Sequence, residues 1–217
     1  MKRIVFVGTC LVLVLGFALA ANYYRSVRAE GLGFMAQENS SIFVRPHSPT
    51  LGSDAAQVYI VKFTDPACET CASFAPYMHE AVNAFPEKVR VVIRYAPFHQ
   101  GSDEIVRILE AARMQGKFWE TLELLYDRQS AWTSHHRVQL GQVWPLLSEV
   151  RLDVERLRAD MKDPRITQII EQDRADAKTL GVRKTPGFFV NGKPLEPFGK
   201  RPLAALIKAE IAAKYPE

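Results

Sequence analysis

The most constraining feature of this chain is a thiol pair set at the end of an apolar run. Val58 to Phe63 reads as a buried strand, and Thr64-Asp65-Pro66 stops it. Two residues later comes Cys68-Glu69-Thr70-Cys71. From there Phe74, Met78, Ala81, Val82 and Phe85 recur at helical spacing, which predicts a helix starting near Cys68. The β-branched run Val89 to Tyr95 predicts a second strand. Strand, helix, strand implies a parallel pair, so the expected class is α/β.

Two cysteines three apart at a helix start share a face and lie within disulfide reach. The first meets unpaired backbone N–H groups and the positive end of the helix dipole, which stabilise a thiolate. Only a thiolate attacks a disulfide, so Cys68 is the expected nucleophile and Cys71 the residue that resolves the mixed disulfide. The same spacing also suits a structural bridge or half of a metal site. A bridge closing so short a loop restrains little chain entropy, which favours a redox couple over a staple. No second cysteine or histidine pair has the spacing of a four-ligand zinc site, and the adjacent His135 and His136 read as loop residues. No cofactor and no metal is expected. The third cysteine, Cys10, lies in the N-terminal apolar run and is a bystander.

That run gives the chain its address. Met1-Lys2-Arg3 is a basic start, and Ile4 to Ala21 carries no charge. Eighteen helical residues span roughly 27 Å, close to the hydrocarbon thickness of a bilayer. The basic end stays in the cytoplasm, so everything after residue 21 faces the other side. Ala18-Leu19-Ala20 fits signal cleavage, whereas Asn22-Tyr23-Tyr24-Arg25 fits the interfacial belt of a retained anchor. The expected location is periplasmic, with residues 4–21 as the tether if the anchor is retained. Lys2 and Arg3 carry two of the four net positive charges, and the rest of the chain is nearly balanced, which gives no reason for a nucleic-acid partner.

Three regions follow: 1–21 as signal or anchor, 22–50 as a linker, and 51–217 as the folded domain. Gly31-Leu32-Gly33, Asn39-Ser40-Ser41 and Pro46-His47-Ser48-Pro49 are poor material for long regular elements, apart from a short strand around Ile42 to Val44. The middle reads as helical, with stripes through Ile105, Ile108, Leu109 and Ala112, then Phe118, Leu122, Leu125 and Tyr126, then Leu140, Val143, Trp144 and Leu147. Asp163-Pro164 is a cap and first-turn proline opening a helix to Leu180, with Gly181 past its end. Phe188 to Val190 predicts a strand, Asn191-Gly192 a type I′ turn and Lys193 to Leu195 the returning strand. Pro202 opens a last amphipathic helix. Phe74, Trp119 and Trp144 read as core.

Together these residues resemble the DsbA-like branch of the thioredoxin superfamily. Val61-Lys62-Phe63-Thr64-Asp65 leads into the cysteine pair as that family's strand leads into its active site. Pro76 stands where the superfamily carries a helix-kinking proline. Gln115-Gly116-Lys117-Phe118-Trp119 is similar to part of a helical insertion, about 101–180 here. The run from Leu180 through Thr185-Pro186 to Asn191-Gly192 resembles the family's cis-proline loop and hairpin. The likeness covers roughly residues 42 to 215. It implies a thioredoxin-like fold with a central mixed β-sheet and a helical insertion. It implies a monomeric thiol:disulfide oxidoreductase acting on exported proteins and served by a membrane redox partner. It also implies that Thr185 and Pro186, joined by a cis bond, pair with an extended substrate strand.

Two residues depart from the family pattern. Glu69 sets an acid beside the nucleophile, which opposes a thiolate. Lys62 stands where relatives carry a buried acid, and it either stabilises the thiolate or snorkels outward. These departures leave the direction of exchange open between oxidase and a membrane-partnered reductase. A copper(I) carrier using the two thiols is a further alternative. His99, at the next strand-to-helix junction, is a secondary candidate.

Overall fold

The structure is a computed structural model, and it describes residues 2–38, 42–135 and 137–216. Helix α1 spans Lys2–Glu38, and its stretch Cys10–Val27 is long and apolar enough to cross a membrane. The reading of 22–50 as irregular is corrected here: α1 continues through Gly31 and Gly33. A helical glycine costs about 1 kcal/mol relative to alanine, which weakens a helix without ending it, and no proline precedes Pro46. Asn39-Ser40-Ser41 lies outside the described residues, as does His136.

The strand expected at Ile42 to Val44 is absent, and that stretch is a turn. Its backbone pairs with a side chain instead: the Ile42 and Phe43 carbonyls accept from the Arg94 guanidinium at 2.7 and 3.2 Å. Phe43 is fully buried, edge-on to Phe189. The first strand is β1 (Thr50–Gly52), followed by β2 (Val58–Thr64), α2 (Glu69–Ala84) and β3 (Val89–Tyr95). β2 and β3 pair in parallel from Val58↔Val89 to Thr64↔Tyr95, and β1 pairs antiparallel with β3.

The insertion comprises α3 (Ser102–Met114), α4 (Phe118–Asp127), α5 (Gln129–Trp132), a small hairpin of β4 (Thr133–Ser134) and β5 (Arg137–Val138), α6 (Leu140–Leu146), a 3₁₀ turn, α7 (Val154–Asp160) and α8 (Pro164–Thr179). Asp163 caps α8 by accepting from Arg165 N at 2.8 Å. Gly181, at φ 69°, ends it in the left-handed region where glycine is unstrained. β6 (Gly187–Val190) then returns antiparallel to β2. Asn191 and Gly192, with φ 48° and 82°, turn it into β7 (Lys193–Pro194) as a primed hairpin turn requires. The last helix is α9 (Lys200–Lys214), starting two residues before Pro202.

The result is a mixed five-stranded sheet in the order β1-β3-β2-β6-β7, the thioredoxin-like architecture expected. β2 is central and buried on both faces, which is why its sequence runs apolar without strict alternation. Val58 and Ile60 face a cluster that includes Phe74 and Met78 of α2 and Leu203 and Ile207 of α9. Val61 and Phe63 face the other side, against Phe43 and Leu180.

Candidate active site

α2 begins where β2 has delivered the chain to the edge of the sheet. Cys68 is its N-cap, and no side chain caps the first-turn N–H groups. Both thiols are free, and both residues are buried, Cys71 completely. The Cys68 thiol donates to the Thr185 carbonyl at 3.3 Å, so the loop before β6 lies directly over the sulfur. The Thr185–Pro186 bond is cis, as the resemblance implies, and so is Glu196–Pro197, which no sequence signal flagged.

The two sulfurs are electrostatically unequal. A hydrogen bond from Cys71 holds the Cys68 thiol down to about 5, against an opposing push from burial and with further help from Thr185. Cys71 moves the other way: burial, then its bond to Cys68, raise it well above the ordinary thiol value. At neutral pH the pair is therefore one thiolate and one thiol, with the proton on the inner sulfur. The acid that opposes the Cys68 thiolate is Asp65, whereas the adjacent Glu69 is exposed and does not figure among the groups that shift it.

Asp65 does more than turn the chain. One carboxylate oxygen accepts from Ala67 N at 2.9 Å and from Ser102 Oγ; the other accepts from Phe98 N and His99 N at 2.7 and 2.8 Å and meets His99 Nδ1 at 2.7 Å. One buried side chain thus fixes the loop before Cys68 to the junction that carries His99. From the insertion, Gln129 Nε2 donates to Pro66 O at 2.7 Å and secures the same loop.

Lys62 does not snorkel. In β2 it points to the face covered by α2, the residue is 1% exposed, and Nζ donates to the Cys71 carbonyl at 2.9 Å. The Tyr126 ring of α4 lies 5.1 Å from Nζ, and Tyr126 Oη bonds Thr64 Oγ1 at 2.6 Å.

Beside the cysteines runs a groove of about 1130 Å³, lined by Thr70, the loop from Leu180 to Pro186, and Pro194 to Phe198. Phe198 is 54% exposed and packs on Phe74 and Phe188. The segment Leu195 to Phe198 carries no motif, and only its apolar and proline content hinted at a surface. Phe74 is core, and Trp119 and Trp144 pack against it partly buried. Among the described residues no group of three His, Cys, Asp or Glu is arranged to hold a metal ion.

Residues 45–209 match a family model described as thioredoxin. A solved thioredoxin-like oxidoreductase from Silicibacter pomeroyi DSS-3 is 32% identical, with a TM-score of 0.70 over 81% of this chain and 98% of that one. BdbD from Bacillus subtilis, in its oxidised form, shares the fold at 23% identity and a TM-score of 0.67, over 76% of this chain and 93% of that one. Among curated proteins, a Na(+)/H(+) antiporter NhaA of Herminiimonas arsenicoxydans is 32% identical over 159 residues, 73% of this chain. The chain spans about a quarter of that protein's length, so the likeness extends to one portion of it. The chain belongs to the thioredoxin family.

Proposed function

We propose that this chain is a thiol:disulfide oxidoreductase that introduces or exchanges disulfides in exported proteins through Cys68 and Cys71. The observation that carries the reading is the unequal pair: a Cys68 sulfur held as thiolate at a helix start, with a protonated Cys71 directly behind it. The family membership supports the same chemistry. A substrate thiolate attacks Cys68 of the oxidised pair and Cys71 leaves. A second substrate thiolate then attacks the substrate sulfur of the mixed disulfide and releases Cys68. Thr185 and Pro186 present the backbone against which an extended substrate segment lies.

The structure favours the oxidising direction. A stabilised Cys68 thiolate lowers the energy of the reduced form, which makes the disulfide a stronger electron acceptor and Cys68 a better leaving group. The apolar start of α1 supports a domain outside the cytoplasm, anchored or released, and in this reading a membrane protein restores the disulfide. Full-length protein in detergent should oxidise a dithiol peptide, and Cys68→Ser should abolish that activity. Retained exchange in the serine variant would sink the reading, and so would an inactive wild type.

A further inference from the structure

Lys62 is a fully buried lysine with no acid beside it. Among the described residues no carboxylate forms an ion pair with its Nζ. Its polar contacts are the Cys71 carbonyl and the Tyr126 ring. Its cross-strand neighbours, Ile93 in β3 and Phe188 in β6, carry no charge. Asp65, the acid that bears on the Cys68 sulfur, is occupied by Ala67, Phe98, His99 and Ser102. Both sulfurs bear on the lysine's charge, and Cys68 is the one held as thiolate. A buried ammonium without a counter-charge is costly, so its partner has to be a thiolate. That partner exists in the reduced pair and disappears when the sulfurs join.

We propose that Lys62 is a redox-linked proton carrier, holding a proton while the Cys68–Cys71 pair is reduced and releasing it when the disulfide forms. The inference rests on the reading of the pair as a redox couple. Reduction of the disulfide by two electrons creates two sulfur anions. One proton goes to Cys71, giving a thiol. A second goes to the Lys62 amine, giving an ammonium that balances the Cys68 thiolate. Oxidation by a disulfide substrate or a membrane partner returns both electrons and both protons. Without Lys62 only the Cys71 proton would move, because Cys68 stays a thiolate at neutral pH. The energetics agree: burial brings Lys62 down to about 8 even with the sulfurs pulling it up, and loss of their charge carries it lower still.

The test is the pH dependence of the protein's own half-cell reduction constant in detergent, obtained by equilibrating full-length protein with a dithiol buffer and subtracting that buffer's known potential at each pH. Each proton taken up with the two electrons makes the reduction constant fall about tenfold per pH unit. Between about pH 6 and 7.5 the wild type should show a fall of about a hundredfold per unit, and Lys62→Met about tenfold. Lys62→Arg keeps the charge and cannot release its proton, so it should show the single-proton slope with Cys68 still a thiolate by ultraviolet absorbance. A merely structural lysine would leave the slope unchanged in both variants, and that result overturns the proposal. A wild-type slope of about tenfold overturns it too, even if neither variant folds. Failure of the wild type to oxidise a dithiol peptide would refute the proposed function instead, and the slope would remain readable.

Discussion

Two fully buried cations sit on opposite faces of the same sheet. Arg94, in β3, donates to Asp173 at 2.9 Å and to Asp176 at 2.5 Å, and also to two carbonyls near Ile42. Arg45 and His47 reach the same two acids from the other side, at 2.7 Å each. Lys62, in β2, has a carbonyl and an aromatic ring. The guanidinium is locked by permanent counter-charges and can only hold the fold together. The ammonium is left to a counter-charge that the redox chemistry makes and removes. The contrast follows from side-chain chemistry: arginine stays charged and binds carboxylates in a fork, whereas a buried lysine exchanges its proton readily.

The largest effect expected from breaking this contrast is on activity. Cys68→Ser should remove exchange altogether, whereas Arg94→Met should leave the intrinsic chemistry of whatever protein folds. Stability should show the reverse order. Arg94→Met takes the buried cation from between two buried carboxylates and should cost about 3–5 kcal/mol in denaturant unfolding. Lys62→Met removes a buried amine that has no counter-charge once the disulfide has formed, and should leave stability of the oxidised protein unchanged or raise it by roughly 1–3 kcal/mol. Equal losses in the two variants would erase the distinction.

The pH responses separate the two sites further. Burial pushes Asp176 up, but hydrogen bonds from Arg45 and Arg94 outweigh it and hold the carboxyl below its usual range. Its stabilisation is present above the ordinary aspartate value and is lost as pH falls through the lowered one. Lys62 shifts stability in the same direction but in an alkaline window, by shedding the cost of a buried charge rather than by gaining an ion pair. Its folded value of about 8 lies below the ordinary 10.5, so the unfolded chain binds more protons between the two and this group adds stability as pH rises through that window. Unfolding of the reduced protein from acid to mildly alkaline pH reads both. The exchange rate should rise through about pH 5 with the Cys68 thiolate and level off by neutrality. The smallest effect should come from Glu69→Gln: the side chain is exposed, and stopped-flow exchange should change less than about threefold.

Locally encoded features were legible in the sequence. The strand β3 and the helix start at Cys68 follow from composition and period, and the cap at Asp163 and the Asn191-Gly192 turn from residues that single positions demand. What escaped depends on distant partners. Phe43 becomes buried because Arg94, 51 residues away, claims its carbonyl. Asp173 and Asp176 lie 79 and 82 residues from Arg94, on a helix whose sequence gives no sign that this face is buried. The sequence also left Lys62 undecided between two orientations. Counting by twos along β2 places it in line with Val58 and Ile60, beneath α2, but only a packed α2 and α4 show that no opening to water remains there. Glu69 misled for a related reason, since adjacency along the chain says little about which way a carboxylate points.

Helix α1 carries a consequence for traffic through the groove. Its residues Asn22, Arg25 and Ser26 line the groove together with the Thr185–Pro186 loop. Under the proposed function, a client segment heading for Cys68 enters a groove that the chain's own N-terminal helix helps to line. Severing the polypeptide behind Ala20 would take away the apolar segment and leave these three residues in the mature protein. Under the proposed function, a released form and a tethered form would then keep the same three groove residues.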